Sequence, residues 1–152
     1  MATIDYLHIC DYAGAGEHGK QIVIGIFDRL MAPSCPIDIP LMALALRVRG
    51  SAGEKVPLAM DLMSPHDVLI TRATATVVLD EAGAAFLQAH LLSVQLPEAG
   101  HYRFVVMSES NVLASQDLQL VVEPRDSQPQ IIAAEQEVRP WPRKGRPMEY
   151  LG

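Results

Sequence analysis

The chain reads as an all-β protein: an antiparallel β-sandwich of about seven to nine strands, followed by a polar, Pro-rich C-terminal tail. Three observations predict this. Apolar and polar residues alternate with period two along most of the chain up to Val122. Turn-forming residues separate the alternating runs at short intervals. The composition is 49% hydrophobic but only 5% aromatic, so aliphatic side chains must build the interior. A length of 152 residues suits one domain, placed at residues 1–124, with the tail at 125–152.

The first strand is expected at Tyr6 to Asp11, and Gly14, Gly16 and Gly19 mark the turn that follows. From Gln21 to Phe27 both faces are apolar, with Ile22, Ile24 and Ile26 on one and Val23 and Phe27 on the other. That pattern predicts a central strand covered on both sides. Pro33, Pro36 and Pro40 make the next segment an extended crossover rather than a helix. Met42, Leu44, Leu46 and Val48 then alternate with Ala43, Ala45, Arg47 and Arg49. The first set should face the core and the second water or a partner. Val56, Leu58, Met60 and Leu62 repeat the alternation, and Pro57 places that strand's start or a sheet edge near itself.

Leu69 to Leu79, His101 to Met107 and Leu118 to Val122 complete the expected strands. Arg49 to Gly53, Ser64 to Asp67 and Ser108 to Asn111 carry turn chemistry between them. Glu81 to Leu92 is ambiguous: its composition allows a short helix, which Gly83 weakens.

A strand ending near Leu96, the corner Pro97-Glu-Ala-Gly100, then Tyr102, Phe104 and Val106 resemble the tyrosine corner of immunoglobulin-like sandwiches. In that corner the tyrosine hydroxyl bonds back to the backbone just upstream, which assigns structural roles to Tyr102 and Gly100. Leu7 to Asp11, Gly19 to Phe27, Pro36, Leu44 to Arg49, Ser64 to Asp67 and Leu96 to Phe104 also resemble a family of small bacterial domains of unknown function. The resemblance covers roughly residues 4–122, implies a β-sandwich and carries no catalytic residue across. It departs at Ser64-Pro-His-Asp67, where an Asp-Gly turn is expected.

Beyond Pro124 the character changes. Arg125 to Gln130 reads as a linker, Ile131 to Val138 as two helical turns, and Arg139 to Pro147 as an extended basic stretch. Lys and Arg against Asp and Glu number 7 and 14 over residues 1–124, and 5 and 4 over 125–152, which sum to the chain's 12 and 18. A slightly basic tail thus follows an acidic body.

A net charge of −6 disfavours binding to a phosphate backbone, and few aromatics disfavour a base-stacking platform. No run approaches the roughly 20 apolar residues of a membrane span, and no secretory signal is recognised. Cys10 and Cys35 read as two reduced thiols, the alternative being a single bridge, so the expected setting is cytoplasmic.

His8 and Cys10 share one strand face and would supply half a zinc site, completed by His90, His101 or Cys35. The competing reading is that Tyr6, His8 and Cys10 line one strand face, with Cys10 filling a small gap. Asp28, Asp38, Asp61 and Asp67 are too scattered for a calcium loop. Neither a G-x-S-x-G elbow nor a phosphate loop is present. No cofactor is expected.

Arg47, Arg49, Arg72 and Arg103 would receive an anion, or would pair across strands with Asp61, Asp80 or Asp117. Ala43, Ala45, Val105 and Met107 are apolar at outward positions, a face for a second subunit, the tail or a packed helix. Trp141 between prolines, followed by Arg143, Lys144 and Arg146, would anchor the tail in a partner. The sequence therefore predicts a non-catalytic protein-interaction module, self-associating as a homo-oligomer. The alternative is a ligand binder or enzyme whose cleft sequence does not reveal.

Overall fold

The structure is a computed structural model that describes residues 1–123. The tail, its short helix expected near 131–138, and Trp141, Arg143, Lys144 and Arg146 lie outside the described residues.

The described strands are β1 (Thr3–Ala15), β2 (Gln21–Ile26), β3 (Arg29–Ala32), β4 (Ile37–Arg49), β5 (Lys55–Met63), β6 (Leu69–Val78), β7 (Ala84–Leu96), β8 (Gly100–Ser108) and β9 (Asn111–Val122). They form a four-stranded sheet, β2-β1-β4-β7, and a five-stranded sheet, β3-β9-β8-β5-β6. The pairings are antiparallel except β3 with β9, which is parallel. The sandwich is thus not wholly antiparallel as the sequence predicts. The proline-rich crossover explains the exception, because residues 33–36 carry the chain from β3 in one sheet to β4 in the other.

Alternation built the core as expected. Met42, Leu44, Leu46 and Val48 of β4 are completely buried, facing a cluster that includes Met60, Leu62, Phe104, Val106, Leu118 and Leu120. Each such side chain contributes about 1.5–3 kcal/mol by leaving water. Pro57 pairs with Thr76 of β6, and β5 meets β8 only from Ala59 onward, so its missing N–H interrupts no pairing with β8.

Glu81 to Leu92 is not a helix. Ala84 onward is β7, paired with β4 from Arg49↔Ala84 to Ile37↔Leu96. Tertiary pairing overrides the local propensity of its alanines and leucines. Gly83 lies in the turn before it, where Asp80 Oδ1 accepts the Ala82 and Ala84 amides at 2.9 and 3.0 Å. At the other expected turn, Ser64 Oγ accepts the amides of His66 (3.2 Å) and Val68 (3.0 Å). Asp67 there takes a left-handed φ of 59°, the conformation a glycine would ordinarily supply.

Qualified too is the two-sided burial of Gln21 to Phe27. β2 is an edge strand, paired only with β1 among the described residues, and Ile22, Ile24 and Ile26 are 41%, 57% and 59% exposed.

The corner before β8 ties the sheets together. The Tyr102 hydroxyl donates to the Glu98 carbonyl at 2.6 Å and accepts the Glu98 amide at 3.2 Å, and the ring is fully buried. Gly100 has φ +139°, and a Cβ there would lie 2.9 Å from Pro65 Cγ. Phe104, two residues on, occupies the place where antibody domains carry the second cysteine of their inter-sheet disulfide. Its buried ring joins the core cluster, while both cysteines of the chain are free thiols.

Removing the hydroxyl by Tyr102→Phe should destabilise the fold by about 1–2 kcal/mol in urea titrations, because it strands both Glu98 backbone groups. Burial raises the Tyr102 phenol above its ordinary 10.0, and burial followed by the Asp11 charge raises the Cys10 thiol above 9.0. In both cases the folded state holds the proton more tightly. Their contributions are therefore complete below the unfolded-state pKa and decline as pH rises through the folded one. Stability should fall above about pH 9, and Tyr102→Phe should flatten the part of that fall beyond about pH 10.

Candidate functional site

The outer face of the four-stranded sheet is built in rows: Tyr6, Arg47 and Phe86; His8, Ala45 and Gln88; Cys10, Ala43 and His90; then Leu41 and Leu92. Ala43 and Ala45 have no exposed surface. Among the described residues a cover is already in place, where the sequence leads one to expect a subunit, the tail or a helix. It is the hairpin that β1 makes with β2.

Beyond Cys10, β1 leaves β4 and pairs with β2 alone, as far as Ala15↔Gln21. The hairpin bends at Asp11 and Gly25 and turns back over the sheet. Gly25 permits this, because its φ is +70° and a Cβ would collide with the Asp11 carboxylate. His90 Nε2 lies 2.8 Å from the Ala13 carbonyl, which can only accept, so the ring donates. The Gln21 amide donates to the Leu87 carbonyl at 3.2 Å and accepts from the Tyr6 hydroxyl. Ala13 and Val23 close the gap against Cys10, Ala43 and Ala45.

Because Gln21 and Val23 point down onto the sheet, Ile22 and Ile24 point away from it. Tyr12, opposite Ile24, is 47% exposed, and Leu92 of the sheet below is 74% exposed. Tyr12 and His90 rings are 6.2 Å apart, and His90 and Leu92 share a strand face, so hairpin and sheet present one apolar band.

The metal constellation is not assembled. The His8 ring stacks on Tyr6 with centroids 5.0 Å apart, and Cys10 is buried with its thiol donating to the Ala43 carbonyl. Among the described residues no group of three or more His, Cys, Asp or Glu is placed to hold a metal ion. Arg47 and Arg49 both reach Asp5, a partner the sequence reading missed. Arg47 Nε stands 3.7 Å from that carboxylate, an ion-pair distance too long for a hydrogen bond, and its guanidinium lies 5.4 Å over the Phe86 ring.

Arg72 grips the buried Asp61 through two hydrogen bonds of 2.6 Å, and Arg103 lies 3.9 Å from Asp117. Arg72 also lines a shallow open trough of about 610 Å³ on the outer face of the five-stranded sheet, with Pro57, Thr74, Thr76, Met107 and Glu109. No helix of the described residues is long and apolar enough to cross a membrane.

β1, β4 and β7 against β3, β9, β8, β5 and β6, with the tyrosine corner at the entry to β8, define an immunoglobulin-like domain. Its β1–β2 hairpin is an addition to that plan. The chain belongs to DUF6941, a family of unknown function, which matches residues 5–121. No curated protein matches it.

Among solved structures it is similar to an alkylpurine DNA glycosylase, AlkC, of Pseudomonas fluorescens, with TM-score 0.47 and 10% identity over 80% of this chain and 30% of that one. A β-glucosidase of Listeria innocua gives 0.46 and 9%, over 78% and 16%. An immunoglobulin-like protein of Pseudomonas aeruginosa gives 0.42 and 12%, over 80% and 97%. The chain thus spans less than a third of the two enzymes, and these are partial likenesses of shape that say nothing of activity.

Gly25→Ala should cost about 1–2 kcal/mol, the penalty of a left-handed side-chain residue. The same change should loosen the hairpin and speed alkylation of Cys10, which in the wild type reacts only on unfolding. Urea titration and peptide mapping after iodoacetamide check both.

Proposed function

We propose that this domain is a non-catalytic protein-interaction module that binds through its β1–β2 hairpin. One observation carries the reading: an aliphatic edge strand lies exposed on a hairpin whose other face is fastened down by Gln21 and His90. Sheet proteins ordinarily blunt such edges with charge, proline or a covering element. Within β2, Gln-Ile-Val-Ile-Gly-Ile, there is neither charge nor proline. A polypeptide adding a strand there would gain backbone hydrogen bonds along the edge and bury the isoleucines.

The ionisable groups favour binding over chemistry. Asp61, the buried carboxylate, is matched by Arg72, and the trough beside it is open and shallow. Two free thiols suit a reducing, cytoplasmic setting.

The test is Ile24→Lys in the full-length protein, cross-linked in its own cells. Ile24 is exposed, so thermal unfolding should be unchanged while cross-linked polypeptide partners fall at least about tenfold, as expected for a charge at the centre of an apolar contact. Undiminished cross-linking to every partner would overturn the reading.

A further inference from the structure

We infer that the protein dimerises through β6, whose open edge pairs antiparallel with the β6 edge of a second copy about a twofold axis at Thr76. This surface belongs to the other sheet, so it goes beyond the reading of the hairpin and is tested apart from it.

The first argument is which edge is fit to pair. Among the described residues the two sheets end at β2, β7, β3 and β6. β3 is four residues long, and β2 and β7 are each interrupted by a positive φ, 70° at Gly25 and 54° at Ser93. β6 runs for ten residues without one, and its register with β5 is constant from Lys55↔Val78 to Leu62↔Thr71. It contains no proline, and its single charge, Arg72, is held by Asp61. The devices that ordinarily blunt an edge strand are therefore missing from it.

The second argument is the direction of the backbone groups. The Leu79 amide donates to the Glu54 carbonyl at 2.9 Å, one step beyond the pair Lys55↔Val78. Backbone groups alternate sides along a strand, so Ala73, Ala75 and Val77 turn theirs to β5. Arg72, Thr74, Thr76 and Val78 turn theirs to the open edge. The opposite end of the sheet agrees. Carried across β5, β8 and β9, the same alternation points Gln119 at β3, and the Gln119 amide does donate to the Asp28 carbonyl at 2.8 Å. With the axis at Thr76, that residue meets its own copy and Thr74 meets Val78 of the other chain. These are hydrogen-bonding pairs, giving about six bonds in the dimer. The same register sets β-branched side chains opposite one another and covers Val78, which is otherwise 59% exposed.

The third argument is charge. Two copies of a chain carrying −6 repel each other, so a self-contact needs a neutral or complementary patch. The axis at Thr76 brings Arg72 of each copy opposite Asp80 of the other. Arg72 holds Asp61 through Nε and Nη2, which leaves Nη1, and Asp80 caps its turn through Oδ1, which leaves Oδ2. An axis at Thr74 would instead bring Glu81 against Asp67 of the other copy. Twofold, self-complementary contacts of this kind are the commonest form of homo-oligomer.

The contact is one strand wide, which places it among weak, concentration-dependent interfaces. Sedimentation of the full-length protein from about 10 µM to 1 mM should therefore show a monomer–dimer equilibrium. Thr76→Lys and Thr76→Glu should each raise the dissociation constant about threefold to tenfold, because each sets like charges opposite on the axis. Thermal unfolding should be unchanged, since the Thr76 side chain is exposed. Mixed in equal amounts, the two variants should dimerise with each other at least as tightly as the wild type. Ile24→Lys, on the other sheet, should dimerise like the wild type.

A wild type that stays monomeric at 1 mM, on the scale of about 4 kcal/mol of association, overturns the inference. A mixture no tighter than either variant alone overturns it too, as does a dimer lost through Ile24→Lys. None of these outcomes touches the hairpin reading, which falls only if Ile24→Lys leaves cross-linking to other polypeptides undiminished.

Discussion

Two alanine side chains set the arrangement that everything outside the core depends on. Ala43 and Ala45 stand on the outer face of β4, where a long side chain would hold any second layer away. Their small size, with Cys10 beside them, lets Ala13 and Val23 come down onto the sheet, and the hairpin backbone follows. Close packing of this kind tolerates little added volume, so the floor and the hairpin specify each other. Fastening one face of the hairpin turns the other outward, and the exposed isoleucines of β2 result from that geometry.

Beneath this layer the sandwich is conventional for its class. Fully buried residues of β4 meet those of β5, β8 and β9, and the corner at Glu98 to Tyr102 fixes how the chain enters β8. Phe104 packs where a disulfide joins the sheets of antibody domains, so cohesion between the layers is apolar. Charge is managed locally. Asp61 is buried but doubly hydrogen-bonded to Arg72, and the Arg47 and Arg49 pair is anchored on Asp5. The arginines thereby serve the sheet surface before they serve any visitor.

Much of the fold was legible along the chain. β4, β5 and β8 each carry period-two alternation, and the buried set is the one that alternation names. Proline and glycine placed the crossover and the corner. The candidate site was legible only in fragments. Ile22, Ile24 and Ile26 stood out as an apolar row, but two apolar faces imply two covers, and only one was found among the described residues. Gly25, inside that run, was the available signal of a bend. Glu81 to Leu92 stayed ambiguous because alanine and leucine serve a helix as readily as a half-buried strand, and pairing with β4 decided it.

The sequence by itself determined which face of β4, β5 and β8 meets the core between the sheets, since alternation, turn chemistry and the corner at Tyr102 are local patterns that survive without tertiary context. It also determined membership of the family matched over residues 5–121. Only the tertiary structure decided what lies over Ala43 and Ala45, that Asp5 holds the two arginines, and which edge of the sheet is left open. Those outcomes depend on contacts such as Gln21 with Leu87 and Ala13 with His90, between residues 66 and 77 positions apart. No period in a linear pattern encodes a separation of that length, because it is fixed by how the chain folds back on itself.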